Sequence, residues 1–193
     1  MNKPLYAALA AAAVAPALVL AQAPVPSATH APALVLAQAP LPALAAAPVP
    51  APAPAARGPS LKLALEAAQK ALDTCKGLDQ KVGVTVVDSA GVLKVVLATD
   101  GASTRGVASS TNKALTSLAF TASTSELGDK IKSDAALAEK VAANPNYNTH
   151  AGGLLLKVGD DVIGAIGVGG AKGSEKDEVC ALAGLNKVKR RLK

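Results

Sequence analysis

The sequence predicts an α+β domain, with a mainly antiparallel sheet of two hairpins covered by helices. Two pairs of strand-like segments are each joined by a short turn rich in Gly, Asp and Ser, and these pairs predict the hairpins. Segments with helical periodicity precede, separate and follow them. Hairpins joined by helices favour an antiparallel sheet with helical cover. We expect the N- and C-terminal helices to pack together on one face.

Residues 1–21 are predicted to be a secretory signal peptide. Lys3 gives a positive start, and an apolar run covers residues 5–20. The Val-Leu-Ala sequence that ends this segment favours cleavage before Gln22, so we expect the mature protein to be periplasmic or secreted. An uncleaved membrane anchor is the alternative, but the run is short and contains Pro16, so we expect no stable membrane insertion after cleavage.

Residues 22–59 are predicted to be a disordered linker. They contain ten prolines, many alanines and no acidic residue, so they cannot build a packed core. Residues 15–24 recur identically as residues 31–40, which indicates a tandem duplication of the end of the signal peptide. The folded domain is therefore expected to span residues 60–193.

The positive charge of the domain is concentrated at its C-terminus. Residues 58–193 carry 18 basic and 14 acidic side chains, and five of the basic ones lie within residues 187–193. Without that tail the domain is at −1, which does not support a nucleic-acid-binding surface. The tail is either a solvated helix end favoured by the helix dipole or a contact for phosphate or anionic lipid.

The first half of the domain predicts a helix and a hairpin. Ser60 can cap a helix that ends around Gly77 and carries its apolar residues on one face. Residues 82–88 then have the composition of a strand, and residues 92–99 of its hairpin partner, with a Ser-Ala-Gly turn between them.

Helices are predicted to follow this hairpin. One covers about residues 107–121, and Thr124 can cap a further helical stretch. That stretch has its apolar positions at Leu127, Ile131, Leu137 and Val141. The Asn-Pro-Asn sequence at residues 144–146 ends it.

A glycine-rich hairpin is the most distinctive segment. Residues 154–158 and 162–168 are apolar strands around a Gly-Asp-Asp turn, so a sheet covered on both faces is expected. Glycines within and beside these strands indicate the close approach of either a ligand or a packed helix. Ser174, with Asp177 three residues later, predicts a capping box for the last helix.

This arrangement resembles the GlcG/HbpS-like haem-binding family over roughly residues 61–185. The matching motifs are Val-Val-Asp-Ser-Ala-Gly at 86–91, Asp-Gly-Ala at 100–102, Lys-Ala-Leu-Thr at 113–116, Phe120, Thr124, Gly-Gly at 152–153, Gly-Ala-Ile-Gly-Val at 164–168 and Asp-Glu at 177–178. Leu155, Gly169 and Ser123 stand where the family has proline, serine and proline. The resemblance implies haem binding, with iron-linked redox sensing or haem breakdown in some members, an association with glycolate-utilisation enzymes in others, and oligomers.

Few side chains after the predicted signal peptide can bind haem iron. Iron needs a His, Tyr, Cys or Met ligand, and the domain offers His150, Tyr147 and two cysteines. His150 precedes Gly152 and Gly153, so a loop imidazole beside a glycine-backed cleft is the candidate metal ligand; an ordinary surface histidine is the alternative. Lys113 is the candidate for a haem propionate or a substrate carboxylate, unless it pairs with Asp100 or another acid.

Cys75 and Cys180 are expected to form a disulfide. A secreted chain with two cysteines favours one bridge. If the first and last helices pack antiparallel, the end of one meets the start of the other and the two sulfurs become neighbours. Two unpaired buried cysteines are the alternative.

The predicted signal peptide indicates a periplasmic or secreted protein, and the resemblance implies a binding module for haem or a similar anionic small ligand, with a role in redox or iron sensing. An enzyme or enzyme accessory acting on haem or on a small 2-hydroxy acid is the second hypothesis. A structural oligomer tethered by its linker is the third. No catalytic residue is predicted, because no nucleophile–base arrangement or carboxylate pair stands at a recognisable spacing.

Overall fold

A computed structural model describes residues 56–193 of the chain. The predicted signal peptide lies outside the described residues, and so does the linker as far as residue 55. The described part forms five helices, four strands and a short 3₁₀ turn at Lys189–Arg191. In chain order the elements are α1 (Leu61–Gly77), β1 (Gly83–Asp88), β2 (Leu93–Ala98), α2 (Thr104–Phe120), α3 (Thr124–Lys130), α4 (Ala135–Ala142), β3 (Gly153–Val158), β4 (Asp161–Gly169) and α5 (Ser174–Val188). The predicted α+β fold class is confirmed.

The sheet is antiparallel throughout, in the order β2-β1-β4-β3. Each hairpin contributes one inner strand, and the two inner strands pair with Val84 opposite Val168 and Val86 opposite Ile166. Every residue of β1 is buried, and β4 is buried from Ile163 onward. Near-continuous apolar runs suit strands that are covered on both faces, as these inner strands are.

Helices cover the two faces of the sheet differently. The pair α1 and α5 packs on one face, and α2 packs on the other. Because successive side chains of a strand point to opposite faces, Val84 and Val86 join the core beneath α1 and α5. Thr85 points the other way, and its hydroxyl is 2.8 Å from the Ser110 hydroxyl of α2.

Small residues let α1 and α5 pack closely. The buried face of α1 is built from alanines, of which Ala67 and Ala71 lie against Gly184 of α5. A Cβ atom at Gly184 would lie 2.5 Å from the Ala67 carbonyl oxygen. Because these residues are small, the backbones of α1 and α5 lie close together and no aromatic ring is needed between them. The predicted packing of the terminal helices is confirmed.

Cys75 and Cys180 form a disulfide between the end of α1 and the second turn of α5. Their Cα atoms are 5.5 Å apart, within the range of bonded cysteines, and both residues are fully buried. The predicted bridge is confirmed, so neither cysteine is available as an iron ligand.

The second helix begins earlier than the sequence indicated. It starts at Thr104 rather than Val107, because the Ser103 hydroxyl accepts a hydrogen bond from the Gly106 N–H at 3.0 Å and caps it. This correction places Arg105 in the first turn of α2.

The helical stretch predicted from Thr124 is two helices. Ser123 rather than Thr124 caps the first one, in a capping box with Glu126. Asp134 then caps α4 by accepting a hydrogen bond from the Leu137 N–H at 2.9 Å, so a new helix starts there. Of the predicted apolar positions, Leu127 in α3 is buried, whereas Leu137 and Val141 in α4 are only partly buried.

Glycines in β4 bring α2 against the sheet backbone. A Cβ atom at Gly167 would overlap the Ser110 carbonyl oxygen and lie 2.7 Å from the Ala114 nitrogen. A Cβ atom at Gly169 would lie 2.7 Å from the Ser110 nitrogen. Of the two explanations that the sequence left open for these glycines, close helix packing is the one that the structure supports.

Gly167→Ala is expected to destabilise the domain by about 1–3 kcal/mol, because the added methyl group meets rigid helix backbone. Gly77→Ala is the matched control. Its added methyl group has no neighbour within 4 Å, and alanine in a helix is favoured over glycine by about 1 kcal/mol. Urea unfolding of the two variants checks this, and equal stability of both would contradict the packing assignment.

Contacts of the domain begin at Arg57, before Ser60. The Ser89 N–H donates to the Arg57 carbonyl oxygen at 2.8 Å, and the Arg57 guanidinium pairs with Asp161. Arg57 therefore links the turns of both hairpins. None of the helices within residues 56–193 combines the length and the hydropathy that a membrane span requires.

Candidate functional site

Lys113 is buried on the face of α2 that packs on the sheet. Its Nζ atom donates a hydrogen bond to Asp177 Oδ2 at 2.7 Å, and the two side chains are 2% and 4% exposed. Of the alternatives that the sequence left open for Lys113, the structure shows an ion pair, with Asp177 rather than Asp100 as the partner. The pair joins α2 to the first turn of α5.

Asp177 is oriented toward the interior rather than toward the start of its own helix. Its second oxygen, Oδ1, accepts a hydrogen bond from the Ala171 N–H at 3.0 Å. Burial raises the pKa of the Asp177 carboxyl group, and this effect outweighs the lowering by the Lys113 ammonium and by backbone N–H groups.

The capping box predicted for the last helix is therefore wrong. Gly173, not Ser174, is the N-cap residue, and no side chain caps α5. The Asp177 carboxylate instead accepts hydrogen bonds from Lys113 Nζ and from the Ala171 N–H. No side chain caps the N–H groups of the first turn of α5, and this turn carries the carboxylates of Glu175 and Asp177.

Gly152 and Gly153 lie directly behind the ion pair. A Cβ atom at Gly152, whose φ is +123°, would lie 3.1 Å from Lys113 Nζ, and one at Gly153 would lie 2.5 Å from the Lys113 carbonyl oxygen. Both glycines are buried. Their structural effect is to let β3 approach α2, and direct ligand contact at these residues stays a prediction.

His150 is exposed in the loop before β3, and Asn148 holds this loop on α2. The His150 N–H donates to Asn148 Oδ1 at 3.0 Å. Asn148 in turn donates from its side chain to Ser109 Oγ at 3.0 Å and from its backbone to Thr116 Oγ1 at 2.9 Å. The sequence reasoning missed Asn148, although an Asn two residues before His150 is a typical signal of an Asx turn.

Three clefts adjoin at His150. The first, of about 290 Å³, lies between the starts of α2 and α5 and contains Lys113, Asp177 and Arg105. The second is lined by acidic residues of α3 and α5, and the third contains Arg105 and Tyr147. Arg105 was not singled out from the sequence, because the predicted helix began after it.

Tyr147 packs against the other aromatic side chain of the described domain. Its ring lies 5.1 Å from that of Phe120, in a T-shaped arrangement. Tyr147 is partly buried, whereas His150 is exposed. Across residues 56–193, no three His, Cys, Asp or Glu side chains are grouped so that they could hold a metal ion.

Comparisons with known proteins identify related sequences and folds. The family described as haem degrading protein HbpS-like matches residues 60–186. The crystal structure of HbpS is 32% identical to this chain with a TM-score of 0.61, and the match covers 67% of this chain and 89% of that one. A double mutant of HbpS from Streptomyces reticuli is also 32% identical with a TM-score of 0.63, and the match covers 74% and 97%.

A more distant structure is described as a complex of PduOC with haem. It is 23% identical with a TM-score of 0.62, and the match covers 67% of this chain and 94% of that one. At this identity the similarity shows the fold alone. No curated protein sequence matches the chain.

Proposed function

The chain belongs to the HbpS-like haem-degrading family, and on this basis we propose that it is a periplasmic or secreted haem-binding module that serves redox or iron sensing. The observation that carries the proposal is the position of His150. This residue is exposed where three clefts adjoin, beside the cleft that contains Arg105 and Lys113. A side chain that can bind iron and a cation that can bind a propionate are therefore neighbours.

Within residues 56–193, one exposed side chain is suited to bind the haem iron. Iron accepts His, Tyr, Cys or Met, and within residues 56–193 the cysteines are bonded to each other and no methionine occurs. Tyr147 is partly buried against Phe120. We assign iron binding to His150, which is exposed.

The propionate contacts are assigned to Arg105. Lys113 is already paired with Asp177 and is 2% exposed, so its charge is offset. Arg105 lines the same cleft and is exposed. In this proposal Lys113 positions the cleft walls, and Arg105 contacts the ligand.

Bound haem would supply an iron centre that exchanges electrons and takes small ligands. The chain's own residues bind and orient it. Asn148 fixes the His150 loop on α2, and the ion pair of Lys113 with Asp177 fixes α2 against α5. A site held by such contacts keeps its geometry when the ligand is absent.

The disulfide supports placement outside the cytoplasm. Such bonds form and persist mainly in the periplasm and in secreted proteins. The signal peptide predicted at residues 1–21 leads to the same compartment. Intact-mass measurement of secreted protein starting at Gln22 tests this placement.

Titration with haem is expected to produce a Soret band that is weakened or shifted in the His150→Ala variant. Loss of the iron ligand should reduce affinity by at least about tenfold, since even residues behind a metal ligand contribute that much. His30→Ala is the matched control, because it removes the other imidazole of the chain. A Soret band that is unchanged in His150→Ala would contradict the ligand assignment, and a wild-type protein without one would contradict haem binding.

The second candidate is an enzyme or enzyme accessory acting on a small 2-hydroxy acid or on haem. The cleft of about 290 Å³ favours it, because Arg105 there is accompanied by the hydroxyl groups of Ser103 and Ser109. Such a set can bind the carboxylate and the hydroxyl of a small acid. Turnover of glycolate without added haem would support this function over the first.

We propose further that the protein forms a homo-oligomer. The outer strand β2 exposes Leu93 and Val96, which are 52% and 43% accessible, next to Val92 at 56%. An edge strand with exposed apolar side chains favours pairing with another chain. Sedimentation velocity of the purified protein measures this state.

A further inference from the structure

The net positive charge of the described domain comes from one group of residues around its C-terminus. Residues 56–193 carry 19 basic and 14 acidic side chains. Seven basic residues and Glu66 form what we call the basic cap: Lys62, Lys157, Lys187, Lys189, Arg190, Arg191 and Lys193. Outside the cap, the described residues contain 12 bases and 13 acids. The cap is therefore a local feature rather than part of a generally basic surface.

Contacts in the structure bring the cap together from four elements, which are α1, β3, α5 and the final 3₁₀ turn. Arg191 of the final turn pairs with Glu66 of α1. The Arg191 hydrogen bond lowers the pKa of Glu66, and the nearby charges of Lys62 and Lys187 lower it further. Lys157 of β3 and Lys189 line one groove, together with Glu126. All seven basic residues are exposed.

Apolar side chains emerge among these cations. Leu61 and Leu65 in the first turns of α1 are 62% and 48% exposed. Leu65 lines the same groove as Lys187. A surface that combines clustered Lys and Arg with exposed leucines has the chemistry of a peripheral membrane contact, since cations attract anionic headgroups and apolar side chains enter the interface.

We infer that the basic cap docks the domain on an anionic lipid bilayer. A lipid surface fits the cap better than a nucleic acid. The cap contains no aromatic side chain on which bases could stack. The exposed Leu61 and Leu65 beside it would make no favourable apolar contact with a phosphate backbone.

Docking through the cap would leave the ligand cleft open. Asp177 and Ser174 of the cleft lie in the first turn of α5, whereas Lys187 lies in its last turn. A helix of this length separates its ends by about 20 Å, at about 1.5 Å per residue. The cleft therefore lies about one helix length from the docked end, which leaves it accessible to ligand from solution.

Co-sedimentation with vesicles tests the inference. The purified full chain is expected to sediment with vesicles of phosphatidylcholine mixed with phosphatidylglycerol, but not with vesicles of phosphatidylcholine alone. Added salt should release it. The triple variant Lys187→Glu, Lys189→Glu, Arg190→Glu is expected to bind at least about 100-fold more weakly, because each cation contributes roughly fivefold to such binding.

A second triple variant is the matched control. Lys76→Glu, Lys130→Glu and Lys140→Glu make the same change in net charge, also in the last turns of helices, and should retain binding. The wild type and both variants begin at the same residue, so any contribution of the segment before the domain cancels. If the glutamate variant of the cap does not fold, the corresponding glutamine variant replaces it.

Three results would overturn the inference: no sedimentation of the wild type with anionic vesicles, equal losses in the cap and control variants, or tight binding to a DNA duplex without binding to vesicles. The melting temperature of each variant confirms that it is folded.

Discussion

Replacing Lys113 with methionine is expected to destabilise the domain by about 3–5 kcal/mol, because it leaves a buried charge without its partner. Asp177 is 4% exposed and depends on Lys113 as its one side-chain counter-ion at 2.7 Å. Methionine is long and flexible enough to occupy most of the space, so lost packing is the smaller contribution. Urea unfolding followed by circular dichroism measures the change.

Two further variants separate charge from packing. Removing both charges, with Lys113→Met and Asp177→Leu together, should recover much of the stability because no unpaired charge stays buried. Lys130→Met on the exposed surface is the matched control and should change stability by less than about 0.5 kcal/mol. A similarly small loss for Lys113→Met would contradict the buried pair.

The Lys113→Met variant should also change its pH dependence. Burial raises the pKa of the Asp177 carboxyl group above the ordinary value of 3.8, and the Lys113 ammonium opposes this. Without the lysine the pKa rises further, so the folded state favours the protonated carboxyl group more strongly. Stability from such a group is present at low pH and lost as the pH rises through the raised pKa. The destabilisation is therefore expected to be largest near neutral pH and to shrink on acidification.

Removing the disulfide is expected to cost about 2–5 kcal/mol of stability. The bridge joins cysteines 105 residues apart, and closing so long a loop restricts the unfolded chain strongly. It also fastens α1 to the helix that carries Asp177. The double variant Cys75→Ala, Cys180→Ala should therefore melt well below the wild type, which a thermal scan measures.

Reductant provides the control for this prediction. It should lower the melting temperature of the wild type and leave that of the double alanine variant unchanged. Thiol titration of the unfolded, unreduced protein should find no free thiol. Two free thiols per chain would contradict the bridge.

Most of the fold follows from local patterns in the sequence. The Ser60 hydroxyl caps α1, as predicted, and accepts from the Leu63 N–H. The continuous apolar run of β4 predicted a strand covered on both faces, and β4 is buried over seven consecutive residues from Ile163. The boundary errors at Ser103 and Asp134 arose because each of these residues caps a helix whose start had been predicted without a capping residue.

The candidate site was less predictable, because its key contacts join distant parts of the chain. Asp177 follows Ser174 by three residues, which locally indicates a capping box. Its actual partner Lys113 is 64 residues away in the sequence. Because both side chains are buried, the carboxylate pairs with this ammonium group rather than with the start of its own helix. Local spacing carries no information on such a contact.

Two residues of the site illustrate the same limit. Arg105 was missed because its helix was predicted to start too late. Asn148 was missed because its role lies in hydrogen bonds to Ser109 and Thr116 on another element. His150 and Lys113, by contrast, could be named as candidates from the family resemblance and the chemistry of their side chains, and their contact with a ligand stays a prediction.

The absorption spectrum of the protein as purified from cells, recorded before and after addition of haem, tests the central claim most directly. The account predicts a Soret band that grows on addition of haem to the wild type and is reduced in His150→Ala. A spectrum of the wild type that matches free haem at every haem concentration would contradict it.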